Sequence, residues 1–215
     1  MERSPLSESR TEQPINETTG ELLLQIADRS IARGLDNRHP SIPGPAHLPA
    51  DLQRPLGSFV TLKVRGELNG CIGSIETDEP LGSSVARHAW SAAFSDPRLP
   101  QLRLADCEHL EVEISILSTL APIPADSPDD LLDSLRPGVD GLLIAAGRQQ
   151  AVFLPAVWEQ IASAEMFVTH LFSKAGLAMS SWPADLQAFV FTAQKIRSDT
   201  QDRVLSEQQE SPRTR

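Results

Sequence analysis

Nowhere does the chain hold anything close to the roughly 20 consecutive apolar residues that span a bilayer, so no membrane-spanning helix is expected. Tyrosine is absent and aromatic residues make up only 5% of the sequence, which leaves Leu, Val, Ile and Ala to fill the core. Basic residues are scarce: 19 Lys and Arg face 29 Asp and Glu, a net charge of −10. That balance disfavours unaided binding to nucleic acid or an anionic membrane, since both call for clustered cations. Cysteine is limited to Cys71 and Cys107, too few for a disulfide framework, and no charged segment followed by an apolar run opens the sequence. We therefore read a cytoplasmic protein with free thiols. The common nucleotide, dinucleotide, zincin and hydrolase signatures are missing as well.

What is present begins with organisation. The 215 residues are enough for one large domain or two small ones. Residues 1–17 and 198–215 lack hydrophobic periodicity and are rich in Ser, Glu, Gln and Pro, so they read as a disordered leader and tail. One domain, residues 18–197, lies between them.

Thr18 and Glu21 have capping-box spacing ahead of a stripe formed by Leu22, Leu23, Ile26, Ala27 and Ile31, and Gly34 marks the stop of that helix. Five prolines, Pro40, Pro43, Pro45, Pro49 and Pro55, predict an extended surface arm. Residues 57–65 alternate like a strand, Gly66 and Glu67 turn the chain, and residues 68–75 return with glycines that predict a bulge or a close backbone approach. A helix follows Pro80 and is ended by Ser95-Asp96-Pro97-Arg98. Leu110, Val112, Ile114 and Ile116 alternate with polar residues in the clearest strand of the chain. Short helices are expected near 129–135 and after Pro155, a hairpin over 138–154, a helix capped by Ser163 and closed by Gly176, and a last strand over 186–192. Strands in hairpins separated by helices predict an α+β fold with mostly antiparallel pairing, and the order hairpin, helix, strand occurs twice.

Four places carry possible chemistry. Cys71 lies in Leu68-Asn69-Gly70-Cys71-Ile72-Gly73, where Gly70 and Gly73 let other groups approach the backbone around a thiol and amides form an anion-binding nest. The bland alternative is a buried strand cysteine beside a bulge. Asp96 and Arg98 share one tight loop, either as a local ion pair or with Arg98 offering its fork to an anionic ligand; the Asp140-Gly141 loop raises the same question. His88 and His170 read as partly buried helix residues, although either could approach Cys71. Cys107-Glu108-His109 falls short of the four-ligand zinc pattern, so no metal site is expected.

Taken in order, the blocks GSFVTLKVRGELNGCIGSIE, SAAFSDPRLPQL, LEVEISILSTLAPI, GVDGLLIAAGRQQAVFLPAVWEQ and FVTHLFSKAGLAMSSW resemble the AMMECR family, also called AmmeMemoRadiSam system protein A. The resemblance runs over roughly residues 20–195. It implies an α+β fold of two similar strand–helix repeats in one compact unit, and a chain found beside Memo-like and radical-SAM proteins; it establishes no activity and names no cofactor. The family hexapeptide LRGCIG stands here as Leu68 to Gly73, with Asn69 replacing the usual arginine, so arginine-assisted chemistry from that position is weakened. Phe172 stands where many relatives carry a second cysteine, which excludes a two-cysteine cycle through it.

Two functions fit this reading. One is a non-catalytic adaptor or ligand- and partner-binding module that uses Asn69, Gly70, Gly73, His88, Asp96 and Arg98 around Cys71. The other is a thiol-dependent enzyme or modification factor with Cys71 as nucleophile. The adaptor asks for fewer unseen groups.

Overall fold

The computed structural model describes residues 14–161 and 163–198. Helix α1 spans Glu17–Asn37, its first turn capped by the Asn16 side chain, which accepts from the Thr19 amide at 2.9 Å. Asn16 takes the role expected of Thr18, as Asn caps at least as well as Thr. The helix also runs past Gly34 and ends at Arg38, whose φ is 61°. Gly34 is there for packing: a Cβ would lie 2.2 Å from Phe94 Cε2 and 2.7 Å from Trp90 Cδ1. Order begins earlier than the sequence placed it. Ile15 is buried, and its amide and carbonyl both bond the Gln194 side-chain amide, at 2.8 and 2.7 Å. The rest of the expected leader, and the expected tail beyond Ser198, lie outside the described residues.

The proline-rich stretch is not a plain arm. It holds a 3-10 turn at Pro45–His47 and helix α2 at Ala50–Gln53, and it buries Leu48, Leu52 and Leu56 in the core. Three leucines at a spacing of four outweigh the prolines around them, of which Pro45 opens the 3-10 turn and Pro49 precedes α2.

Contacts divide the chain into two units. The flanking unit comprises the described residues up to Ile116 and from Gln194 on. Its sheet contains β1 (Ser58–Val64), β2 (Glu67–Ser74), β3 (Leu110–Leu117) and β8 (Ala193–Arg197) in the order β2-β1-β3-β8. The hairpin turns at Arg65 and Gly66, one residue before the predicted pair, both at positive φ (53° and 80°), the geometry that matches strand twist. Helix α3 (Leu81–Phe94) packs with α1 on one side, so Leu23, Ile26, Val85, Ala89, Val60, Leu62 and Ile114 share one core.

The middle unit, Leu117–Ala193, contains β4 (Ala121–Ile123), α4 (Pro128–Ser134), β5 (Gly141–Ala146), β6 (Gln149–Phe153), α5 (Ala164–Ala175) and β7 (Gln187–Phe191). Its sheet order is β4-β7-β5-β6. Ser163 caps α5 and Gly176, at φ 73°, closes it, both as predicted. Its core centres on Phe167, which stacks flat on Trp158 with centroids 3.9 Å apart. Strands β4 and β8 were not anticipated. Both are short, and β4 contains a proline. The doubled hairpin–helix–strand order is present: β2-β1-β3 in one sheet has its counterpart β6-β5-β7 in the other.

Candidate functional site

The hairpin carries a bulge, and the bulge decides which way Cys71 faces. From the Arg65–Gly66 turn, Val64 pairs with Glu67 and Lys63 with Leu68, but Leu62 then pairs with Gly70, leaving Asn69 as the extra residue. Without that insertion Cys71 would face Val60. With it, Cys71 faces Thr61, and Val60 faces Ile72. Because side chains alternate across a strand, a one-residue shift moves every later residue of β2 to the opposite face. Ser58, Val60 and Leu62 are buried on the α3 side, while Thr61 and Lys63 are half-buried on the other. Cys71 thus joins Thr61, whose hydroxyl donates to Sγ at 3.4 Å, and the residue is half-buried.

Both glycines are explained by close approach. A Cβ on Gly70 would lie 2.0 Å from the Ala92 carbonyl oxygen of α3, and one on Gly73 would lie 2.3 Å from the Ser58 carbonyl oxygen and 2.4 Å from the Phe59 ring. The expected bulge and the expected close approach both occur, with the bulge on Asn69.

As an edge strand, β2 presents backbone groups without a strand partner on its outer side, which proteins cover or block. At Cys71 the cover is the loop after α3. The Cys71 amide donates to Asp96 Oδ2 at 3.0 Å, and Arg98 Nη2 donates to the Cys71 carbonyl at 2.8 Å. Asp96 and Arg98 are themselves joined in a fork, Nε to Oδ1 at 2.9 Å and Nη2 to Oδ2 at 2.7 Å. Together they imitate a neighbouring strand. The Asp96 side chain is 2% exposed and that of Arg98 is 64% exposed. Hydrogen bonds from the Arg98 side chain, then from the Cys71 amide, hold the Asp96 carboxyl well below the usual carboxylate range against the opposing effect of burial. The same ion pair raises Arg98. The amide at Cys71 thus meets a carboxylate of the protein, and the Arg98 fork is engaged by Asp96, the local ion pair that the sequence offered as one of its two readings.

Asn69, on the bulge, donates Nδ2 to the Pro100 carbonyl at 3.5 Å, and its Oδ1 is buried with no hydrogen-bond partner among the described residues. A guanidinium still reaches the cysteine backbone in this chain, from Arg98 rather than from position 69. His88 is not brought to the sulfur. It lies on α3, 9% exposed, with Nδ1 3.2 Å from Ser58 Oγ. Ser58 and Thr61 are three residues apart on one strand and so face opposite sides. Burial lowers the His88 pKa, with Glu79 opposing and Arg87 adding to the effect. Asp140 is wholly buried and bonded to the Arg136 guanidinium at 2.6 Å, and its carbonyl accepts from Trp158 Nε1 at 2.7 Å, so that loop is an anchor within the middle unit. Cys107 sits on the 3-10 turn Leu104–His109, its Sγ 3.7 Å from the Arg103 carbonyl.

Two residues that sequence reasoning missed share the sulfur's face: Thr61, and Glu113 on β3, which pairs with Thr61 and bonds Arg197 at 2.6 Å. Only the bulged register reveals them. A guess that each hairpin residue faces its mirror about the turn would have paired Cys71 with Val60.

The family model AMMECR1 matches residues 24–196 of the chain. A protein of Methanothermobacter thermautotrophicus is 32% identical over 192 residues, covering 86% of this chain and 97% of that protein. Protein MK0488 of Methanopyrus kandleri is 30% identical over 204 residues, with 88% and 96% covered. The crystal structure of the uncharacterized protein PH0010 from Pyrococcus horikoshii is similar with a TM-score of 0.74 at 30% identity, over 84% of this chain and 92% of that one.

Proposed function

Because the chain belongs to the AMMECR1 family, we propose that it is a non-catalytic binding module that presents the Asn69–Gly73 segment and the exposed Arg98 side chain covering its edge to a partner, the partners being the Memo-like and radical-SAM proteins that the family resemblance implies. One observation carries the reading: Asp96 and Arg98, the charged groups nearest the cysteine, are spent on holding its backbone. A nucleophilic thiol calls for a base within hydrogen-bond reach. Here the side chain bonded to the sulfur among the described residues is the Thr61 hydroxyl, and the buried imidazole faces the other side of the sheet. The net charge of −10 argues against nucleic acid as the partner. No helix among the described residues is long and apolar enough to cross a membrane, and two cysteines outside any disulfide suit the reducing cytoplasm in which the module would work.

Co-purification with the radical-SAM and Memo-like proteins tests this. Arg98→Ala, which opens the clamp and removes an exposed cation, is expected to abolish association while the chain stays folded by circular dichroism; unchanged association overturns the proposal.

The half-buried cysteine with its hydroxyl neighbour supports the second reading, a thiol-dependent enzyme or modification factor. Its test is iodoacetamide labelling across pH: Cys71 in the folded protein must react faster than a model thiol, whose pKa is about 8.5, for that reading to stand.

A further inference from the structure

The two repeats differ from a plain duplication in their fourth strands. Strand β4 follows β3 in the chain, yet it pairs with β7, Ala121 against Val190 and Ile123 against Ala188. Strand β8 follows β7 after a single residue, Thr192, yet it lies beside β3. There Arg197 bonds Glu113, and Ser198 bonds Val112 through its amide at 3.1 Å and its hydroxyl at 3.4 Å. Each repeat therefore supplies the outer strand of the other repeat's sheet. The two crossover points are tied together. The Ser118 amide donates to the Thr192 carbonyl at 3.0 Å, and the Thr192 amide donates to Ser118 Oγ at 3.0 Å.

We infer that the repeats have exchanged their last strands within one chain, and that the exchange makes the two sheets open as a single cooperative unit. The physical reason is loop closure. With the middle unit folded, β8 is delivered to β3 by one residue of linker, so docking it costs little chain entropy. With the middle unit unfolded, the same docking closes a loop that contains all of Leu117–Ala193, and the entropic cost grows with that length. Strand β8 then leaves, β3 becomes an edge, and Ile196 withdraws from the core it packs against. In the reverse direction, loss of β3 frees the start of β4, whose Ile123 belongs to the core of the middle unit.

Hydrogen exchange followed by mass spectrometry on the full chain tests it. Ile144→Val and Ile114→Val each remove one methyl group from a fully buried position, one in each unit, and are mild enough to leave the fold intact. Either change is expected to speed exchange of the slowest amides about fivefold in both sheets, in peptides covering β3 and β8 as well as those covering β4 and β7. Acceleration confined to the unit that carries the substitution overturns the inference.

Discussion

Gly70→Ala isolates the contact that fixes the height of the cysteine strand over helix α3. A methyl group at this position would lie 2.0 Å from the Ala92 carbonyl oxygen and 2.7 Å from its carbon. Ordinary contact begins near 3.4 Å, so a gap of well over 1 Å has to be opened between two backbones, neither of which has a side chain to swing aside. Overpacking of this kind typically costs about 1–3 kcal/mol, and the upper end applies where backbone meets backbone. For a chain of this size each kcal/mol corresponds to about 2–4 °C, giving a fall in melting temperature of roughly 6–12 °C. Gly66→Ala is the matched control. Gly66, at φ 80°, has nothing within 4 Å of a Cβ, so the cost there is only the left-handed strain of about 1–2 kcal/mol. Thermal unfolding by circular dichroism measures both. If Gly70→Ala melts within about 2 °C of the parent, or Gly66→Ala is the more damaging of the two, the close approach of β2 to α3 is not what the glycine serves.

Asp96→Asn keeps the shape of the clamp and removes its charge, and is expected to lower stability by about 1–2 kcal/mol, discounted for the exposed Arg98 partner. Because the folded Asp96 carboxyl lies below its unfolded value of 3.8, the parent holds this contribution above that pH and loses it on acidification; chemical unfolding of the variant below pH 4 should therefore show a shallower acid limb, and identical acid limbs would refute the clamp's electrostatic role. His88 behaves in the same sense, at a higher pH. Burial lowers its folded pKa below 6.5, so the unfolded chain takes the proton more readily, and stability present above that pH falls as the solution is acidified through it. Denaturant midpoints between pH 8 and pH 5 should drop in the parent and change less in His88→Gln, with equal slopes counting against the assignment.

The fold was legible where one strong period governed a segment. The apolar stripe of α1 and the alternation of β3 name their own elements, and Pro80 and Ser163 mark starts that the structure keeps. It was illegible where a few residues decide between near-equal options. Asn16 and Thr18 are both fit to cap, and Gly34 looks like a stop until Phe94 and Trp90 are seen against it. Ala121–Ile123 and Ala193–Arg197 are too short and too mixed to announce themselves, because their pairing comes from a remote sheet rather than from their own pattern. The site divides in the same way. Cys71, Asp96 and Arg98 could be named from local chemistry, and the local ion pair is present. Thr61 and Glu113 could not, since they depend on where the bulge falls, and Gly70 and Gly73 offer more than one place for it. His88 could not be placed either, because which face of the sheet it meets is a matter of register.

As part of a binding surface and not a reagent, the cysteine is tested most directly by one titration: the dissociation constant of the radical-SAM protein for the parent chain and for Cys71→Ser, measured by calorimetry. Agreement within about twofold is the predicted result, a difference of less than about 0.5 kcal/mol. A loss of tenfold or more in the serine variant, or no binding by the parent to either the radical-SAM or the Memo-like protein, would contradict it.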